Sequence, residues 1–258
     1  MTNILVLPDI HGRTFWKEPL KYKDKFDHII FLGDYFDPYT SEGIIPEEAV
    51  NNFKEILKTF TEDEIDGISG KVEFLLGNHD AHYIIPDAPI SSRYCRNKET
   101  QKNIINLLKY LQLHHQLILN TWITIENTTY LFTHAGINKE WFDSTSQVCD
   151  INTPGLIKQY SIPNNWAVIS QVGRIRGGFG AGGPLWDDVR EFVNQPKFSP
   201  YYQIFGHTQL NDWVNKDKIK EMNKGKEVSC EDFACLDCRQ AFVIDEKGIQ
   251  PFNVWINS

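Results

Sequence analysis

Short apolar runs alternate with polar clusters through the first third of the chain. One run, Ile4–Leu7, stops at Pro8; a second, over 28–32, stops at Gly33; a third, over 72–76, stops at Gly77. Runs of this length bounded by Gly or Pro predict buried strands. Between the second and third, Ala49, Val50, Phe53, Ile56, Leu57 and Phe60 recur at helical spacing and predict a helix over 47–60. Strand, helix, strand in this order reads as βαβ units around a parallel sheet.

Further along, Ile104, Ile105, Leu107, Leu108 and Leu111 predict a helix over 99–113. Two β-rich runs, 122–125 and 130–133, follow with a turn at Glu126-Asn127. The last third is strand-like at 203–205, 233–236, 241–244 and 254–256, which predicts a second sheet. We read one α/β domain over 1–258, built of two sheets with helices outside. A boundary near residue 115 is set aside because the polar clusters lie on both sides of it.

Those clusters carry the chemistry. Leu7 is followed by Pro8-Asp9-Ile10-His11-Gly12, Leu32 by Gly33-Asp34-Tyr35-Phe36-Asp37, and Leu76 by Gly77-Asn78-His79-Asp80. Phe132 is followed by Thr133-His134-Ala135-Gly136, and Phe205 by Gly206-His207-Thr208. Open α/β sheets bind ligands beyond the carboxyl ends of their strands. One such His or Asp alone is ordinarily a satisfied polar residue; five clusters in order, each after an apolar run, are not accidental. Oxygen and imidazole donors without thiolate suit Mn²⁺, Fe or Zn²⁺. Six donors exceed the four of a structural zinc and suit two metals sharing a carboxylate. The two carboxylates Asp9 and Asp34 leave surplus positive charge on such a pair, which would attract phosphate.

These motifs resemble those of the calcineurin-like metallophosphoesterases, and most closely the phosphoprotein-phosphatase branch with its bacterial and phage relatives. The matching residues span 9 to 208. The resemblance implies a two-sheet β-sandwich flanked by helices, in α/β/β/α layers, as a single domain. It implies two divalent ions, Mn²⁺ first and Fe or Zn²⁺ as alternatives. Asp9 and His11 would hold one ion, Asp34 would bridge, and Asn78, His134 and His207 would complete the other. A metal-bridging hydroxide would attack phosphorus, His79 would protonate the leaving oxygen as general acid, and Asp37 would orient His79.

The pattern departs from that branch in places. Gln209 stands where many wider relatives have the last His of Gly-His-x-His, which sorts the chain towards the phosphoprotein-phosphatase branch. Pro38-Tyr39 stand where the branch has the Arg-Gly whose Arg grips phosphate. Pro8 replaces the first Gly, and Asp80 replaces a Glu. Arg174 and Arg176, upstream of a Leu185-Trp186-Asp187 stretch similar to one in the relatives, are the first candidates to grip phosphate instead. Arg93 and Arg96 rank behind them.

Other features read blandly. Gly178, Gly180 and Gly183 match G-x-G-x-x-G, but no strand precedes them and Pro184 follows, so no dinucleotide site is expected. Cys230, Cys235 and Cys238 have no fourth Cys or later His to complete a cluster and read as free thiols; with Cys95 and Cys149 the count is odd. His82 is a possible lining residue of the site. His114 and His115 are assigned no chemistry. Trp141, Trp166 and Trp213 read as packing residues, and the Lys-rich segment 215–226 as a solvated face.

The chain has 258 residues, 41% hydrophobic and 13% aromatic, which excludes disorder as its main state. Its net charge of −8 disfavours long nucleic acids as partners. No run reaches the roughly 18 apolar residues of a membrane span, and the N-terminus lacks a basic n-region, so a cytoplasmic location is expected. The expected function is metal-dependent hydrolysis of phosphate monoesters, on a phosphoprotein Ser/Thr site or a phosphorylated small molecule. The rivals are a dinucleoside polyphosphate or phosphodiester hydrolase, and a non-catalytic scaffold.

Overall fold

The computed structural model describes residues 2–61, 71–114, 116–145, 166–193, 195–197, 199–222 and 230–258. His115, Cys149 and the end of the Lys-rich segment lie outside them. The strands are β1 (Ile4–Leu7), β2 (His28–Phe31), β3 (Val72–Leu75), β4 (Leu117–Ile118), β5 (Asn120–Ile125), β6 (Thr128–Thr133), β7 (Tyr202–Phe205), β8 (Val214–Asn215), β9 (Asp232–Cys235), β10 (Phe242–Asp245) and β11 (Gly248–Pro251). The helices are α1 (Lys17–Leu20), α2 (Pro46–Thr61), α3 (Asn78–Ile84), α4 (Lys98–Leu113), α5 (Lys139–Thr145), α6 (Trp166–Ile169), α7 (Val189–Phe192), α8 (Lys216–Met222) and α9 (Phe252–Trp255). The result is two mixed sheets with helices, the α/β class expected, and two compact units: 1–118 with 239–258, and 119–238.

The first unit holds a sheet in the order β11-β10-β1-β2-β3-β4. β1, β2 and β3 are parallel, and their registers set Leu7 beside Phe31 and Phe31 beside Phe74, so the three strands end level. α2 forms because its apolar positions make one stripe, with Ala49, Val50, Phe53, Ile56, Leu57 and Phe60 all buried. Pro46 opens it, and the Glu48 carboxylate accepts from the Ile45 N–H at 3.0 Å. α4 is capped by the Asn97 side chain, which accepts from the N–H groups of Glu99 and Thr100. Phe31 stacks on Phe74 at 4.9 Å and Tyr35 packs on Phe53 at 4.4 Å. Each fully buried phenylalanine contributes about 1.5–3 kcal/mol.

Two expectations for this unit fail. Residues 254–256 are not a strand: the chain turns into α9 after Pro251. Phe252 and Trp255, three apart, face one way and pack on Tyr22 at 5.8 Å and Phe26 at 5.2 Å, leaving Val254 exposed. That packing outweighs the β propensity of Val, Trp and Ile. The run at 241–244 also does not join the second sheet. As β10 it pairs antiparallel with β1, and with β11 through a hairpin in which Gly248 takes φ 97°.

The second unit holds the sheet β5-β6-β7-β9-β8. β5 and β6 are an antiparallel hairpin, and β6, β7 and β9 run parallel. Phe205 stacks between Phe192 at 4.9 Å and Phe233 at 5.6 Å. Trp141 is fully buried and its Nε1–H donates to the Val168 carbonyl at 3.0 Å, a core residue as expected. Cys230 and Cys235 are buried free thiols and Cys238 a half-buried one. Among the described residues no helix is long and apolar enough to cross a membrane.

Candidate metal centre

In the first unit the level ends of β1, β2 and β3 deliver Asp9 and His11, Asp34 and Asp37, and Asn78 and His79. All six are buried. The loops that carry them are tied together by main-chain bonds. The His11 N–H donates to the Asp34 carbonyl at 2.7 Å. The Asp80 carboxylate accepts from the N–H groups of Asp34 at 2.7 Å, Tyr35 at 2.9 Å and Gly77 at 3.0 Å, so it clamps the loop after β2 to the one after β3. His11, Asp34 and Asp37 lie in the left-handed region, with φ of 44°, 54° and 54°. Each costs about 1–3 kcal/mol and persists because surrounding bonds hold it; such strain concentrates at functional sites.

The donor chemistry fits a divalent cation. His11 Nδ1–H donates to the Phe36 carbonyl at 2.7 Å, which leaves the Nε2 lone pair 3.4 Å from Asp34 Oδ2. Burial pushes His11 well below its ordinary value, against the opposing pull of Asp34, so the imidazole is neutral and free to ligate. The His79 main-chain N–H, in the first turn of α3, donates to Asp34 Oδ1 at 2.9 Å and fixes the carboxylate. A Cβ on Gly77 would lie 2.2 Å from that oxygen, so only glycine admits Asp34 here.

Asp37 sits among polar side chains of α3 and the loop after it. His79 Nδ1 is 3.0 Å from Asp37 Oδ2, and the Tyr83 hydroxyl donates to Oδ1 at 2.5 Å. Burial would raise the Asp37 carboxyl, but hydrogen bonds and charge from His79 and His82 outweigh it and hold it below the usual range. Arg93 reaches the same place: Nη1 donates to the Asp37 carbonyl at 2.6 Å, Nη2 lies 2.9 Å from His79 Nε2, and the guanidinium stacks 3.6 Å from the Tyr39 ring centroid. A guanidinium only donates, so His79 Nε2 accepts and its proton is on Nδ1.

In the second unit His134 follows β6 and His207 follows β7, where the Gly206 N–H donates to the His134 carbonyl at 2.8 Å. His207 is again left-handed, with φ 62°. His134 Nε2 and His207 Nδ1 are 3.2 Å apart. Two imidazoles sharing one cation at about 2.0–2.1 Å put their nitrogens about 2.9–3.4 Å apart. Arg176 lies beside them, its Nη2 reaching the His207 carbonyl and the Thr208 hydroxyl at 3.3 Å each, and its Nε 2.9 Å from Asp188. Arg174 is turned to Glu140. Arg96 is exposed.

Asp188 caps α7 by accepting from the Arg190 N–H and pairs with both Arg190 and Arg176. Burial would raise its carboxyl, but the Arg190 bonds and the two guanidinium charges hold it below the usual range. Asp188→Ala should cost about 1–2 kcal/mol, read as a lower urea midpoint. The folded value is depressed, so the stabilisation is present above the ordinary aspartate value of about 3.9 and lost as pH falls through the folded one. The gap between wild type and variant should therefore hold at neutral pH and close in acid.

Sequence reasoning ranked Arg93 behind Arg174 and Arg176, and overlooked Tyr83 and Ser91, whose Oγ is 3.1 Å from His79 Nδ1. A helical reading of 78–84 offers the missed signal, since His79, His82 and Tyr83 then share one face.

The sequence model of a family described as calcineurin-like phosphoesterase matches residues 2–220. Among solved structures, a metallophosphoesterase from Sphaerobacter thermophilus aligns at 13% identity and TM-score 0.41, covering 97% of this chain and 87% of that one. Yfce, a phosphoesterase from E. coli, aligns at 11% identity and TM-score 0.34, covering 95% and 89%. Comparison with curated proteins returns no match.

Proposed function

We propose, from the premise that this chain belongs to the calcineurin-like phosphoesterase family and is a metal-dependent phosphoesterase, that its substrates are phosphate monoesters, on a phosphoprotein or a small molecule. The observation that carries this reading is the meeting of His79, Asp37 and Arg93 at one place. Asp9, His11, Asp34 and Asn78 in the first unit, and His134 and His207 in the second, are the residues that would hold divalent ions, with Mn²⁺ the first choice. When bound, such ions polarise a phosphoryl group and activate water.

The chain's own residues do the rest. Arg93 presents two N–H groups to a phosphate, and its charge favours a dianionic monoester over a monoanionic diester. Once phosphate takes those groups, His79 Nε2 is freed to carry a proton and deliver it to the leaving oxygen. Asp37, 3.0 Å from Nδ1, orients the imidazole for that transfer. Arg176 is the second candidate for a phosphate contact.

The test uses chelated protein reloaded with Mn²⁺. It should cleave p-nitrophenyl phosphate well ahead of bis(p-nitrophenyl) phosphate, and Arg93→Ala should erase most of that preference by lowering kcat/KM on the monoester about 10²-fold. Preference for the bis ester in the wild type would instead make the chain a phosphodiesterase.

A further inference from the structure

His82 lies one turn beyond His79 on α3, and the roles assigned above leave it unused. Its side chain is nevertheless fully buried, with Nε2 2.8 Å from Asp37 Oδ2, the same oxygen that meets His79 Nδ1 at 3.0 Å. The ring is wedged edge-on against Tyr83 at 4.6 Å and Tyr94 at 4.9 Å, and those two rings stack on each other at 4.8 Å. Tyr83 is itself fixed, because its hydroxyl accepts from the Cys95 N–H at 3.0 Å while donating to Asp37 Oδ1. An imidazole buried among aromatic rings is costly unless its polar edge meets a partner. Here Nε2 stands at ion-pair distance from the carboxylate that orients His79, though off the line of a hydrogen bond.

We propose that His82 is a positioning residue for proton donation: its Nε2 edge holds Asp37 Oδ2 in the place from which that oxygen accepts the His79 Nδ1–H. Asp37 is thus gripped by His82 on Oδ2 and Tyr83 on Oδ1, and His79 turns against a fixed carboxylate. In this role His82 acts only through Asp37. The inference rests on the reading of His79 as proton donor.

A general acid matters more as the leaving group becomes poorer, which separates this role from a merely structural one. The full-length, Mn²⁺-loaded protein is assayed on phenyl phosphate and on p-nitrophenyl phosphate, whose leaving group needs its proton less. His82→Phe keeps the packing and removes the nitrogen; His82→Gln keeps a donor where Nε2 stood. His82→Phe should lose about 10-fold in kcat on phenyl phosphate and under about 3-fold on p-nitrophenyl phosphate, and His82→Gln should regain most of that loss; the scale is set by the about 10²–10⁴-fold worth of a whole general acid. Equal loss on both substrates, or equal behaviour of Phe and Gln, would overturn the proposal. His79→Asn is the control. If its loss is no greater on phenyl phosphate, the proton-donor reading itself fails; if it is greater and that of His82→Phe is not, only the role of His82 fails.

Discussion

Asp34→Asn should abolish metal-dependent hydrolysis while leaving the metal-free protein at least as stable as the wild type. Oδ1 of Asp34 accepts from the His79 N–H, and Oδ2 lies 3.4 Å from the neutral His11 ring. An amide keeps the first bond but gives up the negative charge, and a carboxamide cannot bridge two cations. The loss of turnover should reach at least the about 10²–10⁴-fold that removing a general acid costs. Metal analysis after desalting should find fewer Mn²⁺ per chain than in the wild type. The stability effect has the opposite sign. Burial pushes the Asp80 carboxyl well up, and the nearby charge of Asp34 pushes it further. Neutralising Asp34 relieves that repulsion, so the metal-free variant should melt no lower than the metal-free wild type, whereas Mn²⁺ should raise its Tm less. Full activity in the variant would remove Asp34 from the metal site.

Gly77→Ala should damage fold and function together. Gly77 has an extended backbone, φ −92° and ψ 169°, that alanine adopts freely, so any effect is steric. The added Cβ would meet Asp34 Oδ1 at 2.2 Å and the Asp34 main-chain nitrogen at 2.3 Å. A side chain could swing aside, but the nitrogen cannot, because Asp80 holds it at 2.7 Å. The loops after β2 and β3 must part, at a cost of at least the about 1–3 kcal/mol typical of overpacking. The expected result is a lower urea midpoint, weaker Mn²⁺ binding and near-complete loss of hydrolysis. Gly43→Ala is the contrast: nothing lies within 4 Å of its Cβ, and only the backbone, φ 72°, is strained. It should cost about 1–2 kcal/mol and spare metal binding. If the two variants behave alike, the close approach of Gly77 to Asp34 is not what holds the site.

Much of this was legible along the chain, because the information is local. Apolar runs ended by Pro8, Gly33 and Gly77 mark β1, β2 and β3, and the stripe from Ala49 to Phe60 marks α2. The polar residues that follow each run are the ones the strand ends carry. Periodicity and turn chemistry act over a few residues, so a sequence by itself determines elements of this kind and the order of the motifs. It did not determine partners. The run at 241–244 reads as one more strand of the second sheet, yet its pairing with β1 is a contact between residues more than 200 positions apart. The run at 254–256 reads as a strand, and Tyr22 and Phe26 make it the end of a helix. Asp80 reads as a mild substitution next to His79; only the tertiary structure shows it reaching 46 positions back to clamp Asp34. Arg93 outranks Arg174 in the structure for the same reason. A guanidinium goes to whichever carboxylate or ring the fold brings near, Glu140 for one and Tyr39 with His79 for the other, and nothing local to either arginine encodes that choice.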